Sequence, residues 1–523
     1  MEGKPISGAN RPSGHENGLL SGDRWLAQAE LQRRVGLAAG GFDALGVEPG
    51  QCVALMLRND PVFVEVTLAT ATLGGIPTPV NWHWRDDEVS YLLGDCGARV
   101  LVIHADLLAE VADAVPAGVT TLVVDTPPEL AEAYRVPADD AAAPAEATRY
   151  EDWLAAQAPY ASPPRPSPGS MIYTSGTTGR PKGVERRSPS ADQTAKQRWM
   201  LETVFGLVPG VRTVVPAPMY HSAPNAYAVT AAALGTFTVL MPRFDPTELL
   251  ELIEAHQISH VQMVPTMFVR LLALPEEVRR RYDLSSLRFV VHAAAPCPAH
   301  VKREMIEWFG PVIWEYYGCT ESGAVVLCSS DEWLAHPGTV GKALDGAVVK
   351  VYGDDGDELP PFASGEVFTR MVGGPDFTYR NDPAKRAGAG KGELITCGDI
   401  GYLDDDGYLY LNDRRNDMVI SGGVNIYPAE IEAALVGMAG VADCAVFGIP
   451  DEEFGEALAA YIEPDGGATV SPDAVRAFVR EHLAGYKVPR VVEIVDALPR
   501  EDSGKIFKRR LRDPYWAGRD TRI

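Results

Sequence analysis

A short segment of the chain concentrates residue types that bind anions. It reads "TSGTTGRPKG" and occupies residues 174–183. Its glycines let the backbone turn several N–H groups inward as an anion-binding nest, and its hydroxyl groups add further donors. Lys182 adds a point charge that suits phosphate. A Walker A loop is excluded, because Pro181 and Gly183 replace the glycine and the hydroxyl residue that flank its lysine. From this segment alone, a solvated Ser/Thr/Gly linker remains the alternative.

Six further segments carry polar, aromatic or glycine residues in a fixed order. They are "APMYH" (217–221), "HAAAP" (292–296), "YYGCTES" (316–322), "CGDIGYLDDDGYLYLNDRRND" (397–417), "ISGGVNIYPAEIE" (420–432) and "LPREDSGKIFKRRLR" (498–512). Together with "YTSGTTGRPKGV" (173–184), they resemble the adenylate-forming (ANL) superfamily. That superfamily includes the acyl-CoA synthetases (the AMP-dependent synthetase and ligase family), luciferases and peptide-synthetase adenylation domains. The resemblance extends from residue 173 to residue 512.

The resemblance implies a two-step reaction. A carboxylate is joined to the AMP part of ATP with release of pyrophosphate, and the acyl group then passes to a thiol, here that of CoA. Mg²⁺ is the implied cofactor. Because two anions meet in the first step, the site has to supply positive charge and hydrogen-bond donors where charge develops.

The resemblance assigns most of the nucleotide-binding residues. The implied ATP phosphate-binding residues are Thr174, Ser175, Gly176, Thr177, Thr178, Gly179 and Lys182. The implied AMP-binding residues are Ala294, Ala295, Pro296, Glu315, Tyr316, Tyr317, Gly318, Asp399 and Arg414. Within this set, Tyr317 is expected to stack on adenine, with core packing as the alternative. Asp399 is expected to accept hydrogen bonds from the ribose hydroxyls, and Arg414 is expected to donate to their oxygens. Surface ion pairing is the alternative for both.

The resemblance also implies which residues act in the chemistry. Lys505 matches the lysine that bridges the carboxylate and the α-phosphate. The alternative is an ordinary lysine of the basic C-terminal tail. Thr320 matches a donor to the α-phosphate, and Glu321 with Thr178 matches the Mg²⁺ ligands. His221 matches a position near the carboxylate and the pantetheine channel; a structural histidine is the alternative.

The C-terminal part is expected to form a small mobile domain. The predicted domains are an N-terminal AMP-binding and acyl-binding domain at 1–412, a hinge at 413–417 and a C-terminal domain at 418–523. Rotation about the hinge would replace Lys505 by the CoA-binding loop Ser421, Gly422 and Gly423. The hinge residue is Asn416, where many relatives have Lys or Asp, so a charge-based account of the switch is in doubt.

The acyl pocket is expected to be lined mostly by small residues. The candidates are Ala223, Asn225, Ala226, His292, Ala293 and Gly318. Acetyl-CoA synthetases place tryptophan at the position of Gly318, so an acid larger than acetate is predicted, either fatty or of a bulky alicyclic or steroid type. The alternatives are an aryl-CoA ligase and a free-standing adenylation enzyme that loads an acyl carrier protein. The absence of an acidic residue from 221–229 argues against an amino acid, and the presence of Lys505 and Glu321 argues against a non-catalytic binding protein.

Composition narrows the class of protein further. The chain has 523 residues, which predicts more than one domain. Its net charge of −24 argues against nucleic acid as a partner. No apolar run is long enough to cross a bilayer, and the polar N-terminus has no signal-peptide pattern. The seven cysteines form no CxxC, so reduced thiols in a cytoplasmic protein are expected. Whether the protein is a homodimer is left open.

The candidate site residues need loops at the ends of strands and helices to hold them. The sequence between the motif segments alternates strand and helix candidates, which is typical of an α/β fold. Apolar strand candidates lie at 52–59, 99–105, 120–125, 236–242, 259–265 and 288–294, and helix candidates lie at 60–75, 245–257 and 298–310. This alternation predicts doubly wound parallel sheets with helices on both faces. In such sheets, ligands bind in the loops at the carboxyl ends of the strands.

Overall fold

A computed structural model describes residues 16–174, 181–415, 417–421, 424–451, 454–500 and 506–517. Backbone contacts divide the chain into two compact units. The first unit comprises Met1–Met263, Leu274–Val291 and Val372–Ala389, and the second comprises Val264–Ala273, His292–Met371 and Gly390–Ile523. The boundaries predicted at 412 and 418 stay predictions.

The helices and strands follow one another along the whole of the described chain. The helices are α1 Gln28–Ala44, α2 Pro61–Thr72, α3 Asp86–Cys96, α4 Ala105–Val111, α5 Pro128–Tyr134, α6 Tyr150–Ala155, α7 Ala191–Phe205, α8 Ser222–Ala233, α9 Pro246–His256, α10 Pro265–Leu272, α11 Glu276–Arg279, α12 Ala299–Phe309, α13 Ser330–Ala335, α14 Pro383–Gly388, α15 Pro428–Leu435, α16 Pro472–His482 and α17 Lys508–Trp516, with 3₁₀ turns at Ala112–Ala114 and Gly485–Lys487. The strands are β1 Gly18–Ser21, β2 Arg24–Ala27, β3 Cys52–Met56, β4 Ile76–Pro79, β5 Ala98–His104, β6 Thr120–Val124, β7 Ile172–Thr174, β8 Lys182–Arg186, β9 Arg212–Val215, β10 Phe237–Leu240, β11 His260–Met263, β12 Phe289–His292, β13 Ile313–Cys319, β14 Gly323–Cys328, β15 Gly341–Ala343, β16 Ala347–Tyr352, β17 Gly365–Met371, β18 Phe377–Tyr379, β19 Gly390–Lys391, β20 Leu394–Leu403, β21 Tyr408–Arg414, β22 Val419–Ser421, β23 Val424–Ile426, β24 Val441–Asp451, β25 Gly455–Pro464 and β26 Val491–Ile494.

The first unit contains two parallel sheets of the predicted kind. One has the order β4-β3-β5-β6, and in the other β11, β9, β10 and β1 run parallel, with β2 antiparallel to β1. β3 and β5 are almost wholly buried, as expected of parallel strands covered on both faces. A small antiparallel sheet, β18-β8-β7, completes this unit.

The second unit is built on antiparallel sheets. One runs β16-β17-β20-β21-β15-β14-β13, with β19 added beside β20. The other has the order β23-β22-β25-β24, with β26 parallel to β25, and its core contains apolar residues from α15 and α16. The predicted α/β fold class, with large sheets and a smaller C-terminal sheet domain, is confirmed.

The predicted helix after β3 shows why the sequence signals were reliable. Asp60 accepts a hydrogen bond from the backbone N–H of Val62 (2.7 Å) and Pro61 occupies the first helical position, so α2 begins where expected. The helix ends at Thr72, and Gly74 adopts a positive φ of 73° that glycine favours. Within the described part of the chain, no helix combines the length and the apolar character that a membrane span requires.

Candidate active site

In the first unit, the two ends of the phosphate-loop candidate are held together by β7 and β8. Thr174 ends β7, Lys182 begins β8, and the two residues are paired in antiparallel register. The ammonium of Lys182 lies 2.6 Å from the carboxylate of Asp382, which also accepts from the N–H of Lys385 at the start of α14. The hydrogen bond from Lys182 holds the pKa of Asp382 below its usual range. Both ends of the loop are therefore fixed, and the lysine is oriented by an acid.

Several predicted phosphate-binding residues lie outside the described part of the chain. They are Ser175, Gly176, Thr177, Thr178 and Gly179. Their assignment stays a prediction.

The segment that leads to His221 is also fixed in the first unit. Buried Asn59 donates to the carbonyl oxygens of Ala217 and Met241 (3.0 Å each), and its own oxygen accepts from the N–H of Met219 (3.0 Å). The side chain thus binds the backbone just before His221. The ring of His221 packs on that of Tyr220 at a centroid distance of 4.3 Å.

The first half of the predicted acyl pocket lies on the helix that follows. His221 is the N-cap residue of α8, and Ala223, Asn225 and Ala226 occupy its first turns. Asn225 is buried and donates to the carbonyl of Met219 (3.2 Å), while the two alanines are half-buried. Asn225 therefore serves the local backbone, which leaves the small alanines as candidates for an acyl-group contact.

In the second unit, Thr320 and Glu321 form the turn between β13 and β14. Cys319 and Gly323 are paired at the base of this turn, and Gly323 has a φ of 68°. The hydroxyl of Ser322 accepts from the N–H of Cys319 (3.1 Å) and donates to the carbonyl of Gly323 (2.7 Å). The predicted phosphate donor and metal ligand are thus presented by a tight, internally bonded hairpin turn.

Two predicted nucleotide-binding residues from distant motifs meet beside this turn. The hydroxyl of Tyr317 donates to the carboxylate of Asp399 at 2.7 Å, although 82 residues separate them in the sequence. Asp399 is 9% exposed. On the neighbouring strand, the backbone of Arg414 is in register with that of Asp399. The structure therefore brings together the residues predicted for the adenine and ribose ends of the nucleotide.

A buried ion pair joins α12 to β13, next to Tyr316 and Tyr317 in the sequence. The carboxylate of Glu315 accepts from the ammonium of Lys302 at 2.5 Å, and both side chains are almost inaccessible to solvent. Burial raises the pKa of Glu315, and Lys302 partly counteracts the rise. The side chain of Glu315 is therefore engaged within the protein; any contact it makes with AMP would be through the backbone. Burial also raises the pKa of the neighbouring Tyr316.

His292 lies against this ion pair. Burial, reinforced by the charge of Lys302, lowers the pKa of His292 well below its usual value, so the ring is neutral. Its Nε2 atom is 3.7 Å from Glu315, and its ring packs edge-on against Phe268 at 5.1 Å. Among the described residues, neither ring nitrogen of His292 has a hydrogen-bond partner. His292 is thus a polar group in an apolar setting, next to Ala293 of the predicted pocket.

The loop that follows β12 is exposed and strained. Ala294, Ala295 and Pro296 are all exposed. Ala294 has a φ of 75°, in the left-handed region that residues other than glycine rarely adopt. Such strain is often found at ligand-binding positions, which agrees with the predicted contact to adenine.

Gly318 has a structural role that the sequence did not reveal. A Cβ atom at this position would lie 2.0 Å from the carbonyl oxygen of Gly323 and 2.8 Å from the Cα of Ala324. The register of β13 and β14 shifts between Tyr317 and Gly318. Close backbone approach therefore favours glycine here, whatever the size of the acyl pocket.

The expectation that all cysteines are reduced thiols is wrong for one pair. Cys319 and Cys397 form a disulfide between the end of β13 and β20. The remaining cysteines are free. No local sequence pattern indicates this pair, because 78 residues separate its members.

The described residues on either side of Lys505 are anchored by ion pairs. Lys505 itself lies outside the described residues. On one side, Arg500 forms ion pairs with Asp443 (2.7 Å) and Glu463 (2.8 Å); on the other, Lys508 forms one with Glu432 (2.7 Å). The backbones of residues 500 and 506 are paired as an antiparallel bridge. Residues 500 and 506, which flank Lys505 in the sequence, are therefore held close together.

The predicted hinge and CoA loop are described only in part. Asn416, Gly422 and Gly423 lie outside the described residues. Before the hinge position, the N–H of Arg415 donates to the carbonyl of Gly398 (2.7 Å). After it, Ser421 is paired with Val424 across β22 and β23.

Glu321 fits the role of a single protein ligand for Mg²⁺. It offers a carboxylate on a half-exposed turn, and Mg²⁺ takes one or two carboxylates when phosphates and water complete its shell. The sulfur atoms of Cys319 and Cys397 and a carboxylate oxygen of Glu321 all lie within 4.8 Å of one another. The sulfurs are soft ligands and unsuited to Mg²⁺, so the fit rests on the carboxylate.

Comparison with known proteins agrees with these motifs. The family model described as AMP-binding enzyme matches residues 9–375, and the model of the AMP-binding enzyme C-terminal domain matches residues 430–505. A feruloyl-CoA synthase from an Amycolatopsis species is 34% identical over 513 residues, which is 96% of each chain. A Mycobacterium tuberculosis CoA ligase for a methyl-dioxo-octahydroindenyl propanoyl group is 35% identical over 514 residues, which is 95% of each chain. The crystal structure of ATP-bound MatB from Rhodopseudomonas palustris superposes with a TM-score of 0.80 at 29% identity and 97% coverage of each chain.

The chain belongs to the AMP-binding enzyme family. The predicted resemblance to the adenylate-forming superfamily, and within it to the acyl-CoA synthetases, is thereby confirmed. The predicted class of enzyme, an AMP-forming acyl-CoA synthetase, is confirmed with it.

Proposed function

We propose that the protein is a CoA ligase for a carboxylic acid larger than acetate, either fatty or ring-bearing, which it activates as an acyl-adenylate. The observation that carries the proposal is the pairing of Tyr317 with Asp399 beside the turn of Thr320 and Glu321. These residues adjoin one another in the second unit. One nucleotide could therefore contact Tyr317 through adenine, Asp399 through ribose and Thr320 through the α-phosphate.

The first step joins the acid to AMP. A carboxylate oxygen of the acid forms a bond to the α-phosphorus of ATP, and the bond to the pyrophosphate oxygen breaks. In this proposal, Tyr317 binds adenine, and Asp399 accepts from the ribose hydroxyls. Thr320 donates to the α-phosphate, while Lys182 and the loop from Thr174 bind the other phosphates. Bound at Glu321, Mg²⁺ would supply positive charge to the phosphate oxygens.

Lys505 neutralises the charge that builds up as the two anions meet. The ion pairs of Arg500 and Lys508 hold the described residues on either side of it, which supports this role. By analogy with loss of one preorganised donor to an oxyanion, Lys505→Ala should slow adenylation by about 10²–10³-fold or more.

In the second step, the thiol of CoA attacks the acyl carbonyl and AMP leaves. The segment from Ser421 to residue 423 is the candidate contact for the pantetheine arm, because glycines permit close backbone approach. Rotation about residues 413–417 would bring this segment into use after adenylation. His221 would lie near the carboxylate and the pantetheine arm.

The substrate class rests on the size of side chains and on the relatives. Ala223 and Ala226 present small side chains on α8. The two relatives described above are named for a feruloyl group and for a bicyclic propanoyl group. Both groups are far larger than acetyl, which favours a bulky acid here.

A panel of acids tests this proposal. Fatty, aromatic and steroidal acids, with acetate as the small control, are incubated with ATP, Mg²⁺ and CoA, and AMP release is measured. Release with a bulky acid, dependent on CoA and absent with acetate, is expected. A strong preference for acetate would contradict the assignment of the acid. Release only when an acyl carrier protein replaces CoA would instead identify a carrier-loading enzyme.

A further inference from the structure

The disulfide lies at the turn that is proposed to bind the α-phosphate and Mg²⁺. Cys319 immediately precedes Thr320, and Cys397 precedes Asp399 by two residues. The bond therefore crosslinks the β13–β14 turn to the strand that carries the predicted ribose contact. No other pair of cysteines among the described residues is bonded.

The two sulfurs are close enough to affect what binds at Glu321. Both lie within 4.8 Å of its carboxylate oxygen. Mg²⁺ keeps several of its waters when it binds through one carboxylate, and those waters need hydrogen-bond acceptors nearby. Sulfur is only a weak acceptor. Free thiol side chains can rotate to other staggered positions, whereas a disulfide fixes both sulfurs beside the carboxylate.

The pair is also more accessible than most cysteines of the chain. Cys319 and Cys397 are half-buried, whereas Cys52, Cys96, Cys328 and Cys444 are buried. Small thiol reagents can therefore reach the pair in the folded protein. Cys297 is also partly accessible but has no bonded partner, which makes it a suitable control.

We propose that Cys319 and Cys397 are a reversible oxidation site that controls adenylation: the dithiol form is active, and the disulfide form binds Mg²⁺ and ATP weakly. The effect on adenylation rests on the proposed function. The consequence of oxidation is local, because the crosslink constrains the turn of Thr320 and Glu321 and holds two sulfurs within 4.8 Å of the Glu321 carboxylate oxygen.

The oxidant is a low-molecular-weight disulfide, RSSR. One cysteine thiolate attacks RSSR, which breaks the S–S bond, forms a mixed disulfide and releases one RSH. The second cysteine attacks the mixed disulfide, forms the bond between Cys319 and Cys397 and releases the second RSH. Two protein thiols are thus oxidised while one RSSR is reduced to two RSH. Excess RSH reverses both steps.

The experiment compares oxidised and reduced protein directly. The full chain is equilibrated with oxidised or with reduced glutathione, peptide mapping verifies the link between Cys319 and Cys397, and pyrophosphate exchange into ATP is measured with an accepted acid. We expect exchange to be about 10–100-fold slower in the oxidised form, the range over which groups around a bound metal act. Added reduced glutathione should restore it.

Matched variants separate this pair from the other cysteines. Cys319→Ser and Cys397→Ser should each exchange pyrophosphate at a similar rate in both glutathione buffers. Cys297→Ser should remain as sensitive to oxidation as the unaltered protein. Equal exchange by oxidised and reduced protein, with the link verified, would overturn the proposal and leave a purely structural disulfide. Loss of exchange on oxidation in both Ser variants would overturn it as well.

A failure of the proposed function gives a different result. If reduced protein exchanges no pyrophosphate with any acid, the assignment of the activity fails. The oxidation site is then tested by calorimetry of Mg²⁺ and ATP binding, which needs no acid. Weaker binding to the oxidised protein supports the site, and equal binding by the two forms refutes it.

Discussion

Loss of the ammonium of Lys302 should destabilise the second unit strongly, because it strands the carboxylate of Glu315. Lys302 and Glu315 are in contact at 2.5 Å, with side-chain exposures of 0% and 7%. Breaking a buried ion pair by removing one partner typically costs about 3–5 kcal/mol. We therefore expect Lys302→Met, which preserves most of the side-chain volume, to lower the free energy of unfolding by about that amount near neutral pH.

The same reasoning predicts how the loss depends on pH. Burial raises the pKa of Glu315 in the folded protein, and Lys302 opposes that rise, so the variant should raise the pKa further. Between the unfolded and the folded pKa, the folded state then holds more protons than the unfolded state, so stability falls as pH increases. The loss of unfolding free energy in Lys302→Met, relative to the unaltered protein, should accordingly be smaller at pH 5 than at pH 8.

Urea unfolding at the two pH values measures both effects. Lys302→Met combined with Glu315→Gln should recover much of the loss, because no buried charge remains. Lys350→Met is the matched control: Lys350 contacts Glu358 at 2.6 Å, but the side chains are 37% and 52% exposed, so its cost should be below about 1 kcal/mol. A loss in Lys302→Met as small as that of the control, or one that does not change with pH, would refute the reasoning.

Three further substitutions test separate parts of the site. Ala294→Gly should raise the free energy of unfolding by up to about 1 kcal/mol in urea, because glycine relieves the left-handed strain at some cost in entropy; a decrease would contradict this. Gly318→Ala should destabilise by about 1–3 kcal/mol in the same assay, since its Cβ would meet the backbone of Gly323 at 2.0 Å; unchanged stability would contradict the close approach. Asn416→Pro should spare pyrophosphate exchange and slow CoA transfer, because proline fixes φ and removes an N–H at the hinge; equal losses in the two assays would argue against the hinge.

The sequence predicted those parts of the molecule that depend on local signals. Alternating apolar runs, the Asp60 cap and the glycine after α2 are local, and the corresponding elements begin and end close to their predicted positions. The motif segments were also local. Their approximate order sufficed to predict the family and the candidates Tyr317, Glu321 and Asp399.

Contacts between distant residues could not be predicted in this way. Asp382 orients Lys182 from 200 residues away, and Asn59 holds the segment before His221 from 160 residues away. An asparagine or an aspartate has no pattern of its own that indicates such a role. Cys319 and Cys397 likewise meet only because β13 and β20 bring them together.

Exchange of labelled pyrophosphate into ATP tests the central claim most directly, because it reports the first step without CoA. With Mg²⁺ and a bulky acid, the unaltered reduced protein should exchange label. Lys505→Ala should lose about 10²–10³-fold or more of that rate. Arg509→Ala, which alters an exposed basic residue of the same tail, should keep it. Absence of exchange with every acid of the panel, or an unchanged rate in Lys505→Ala, would contradict the account.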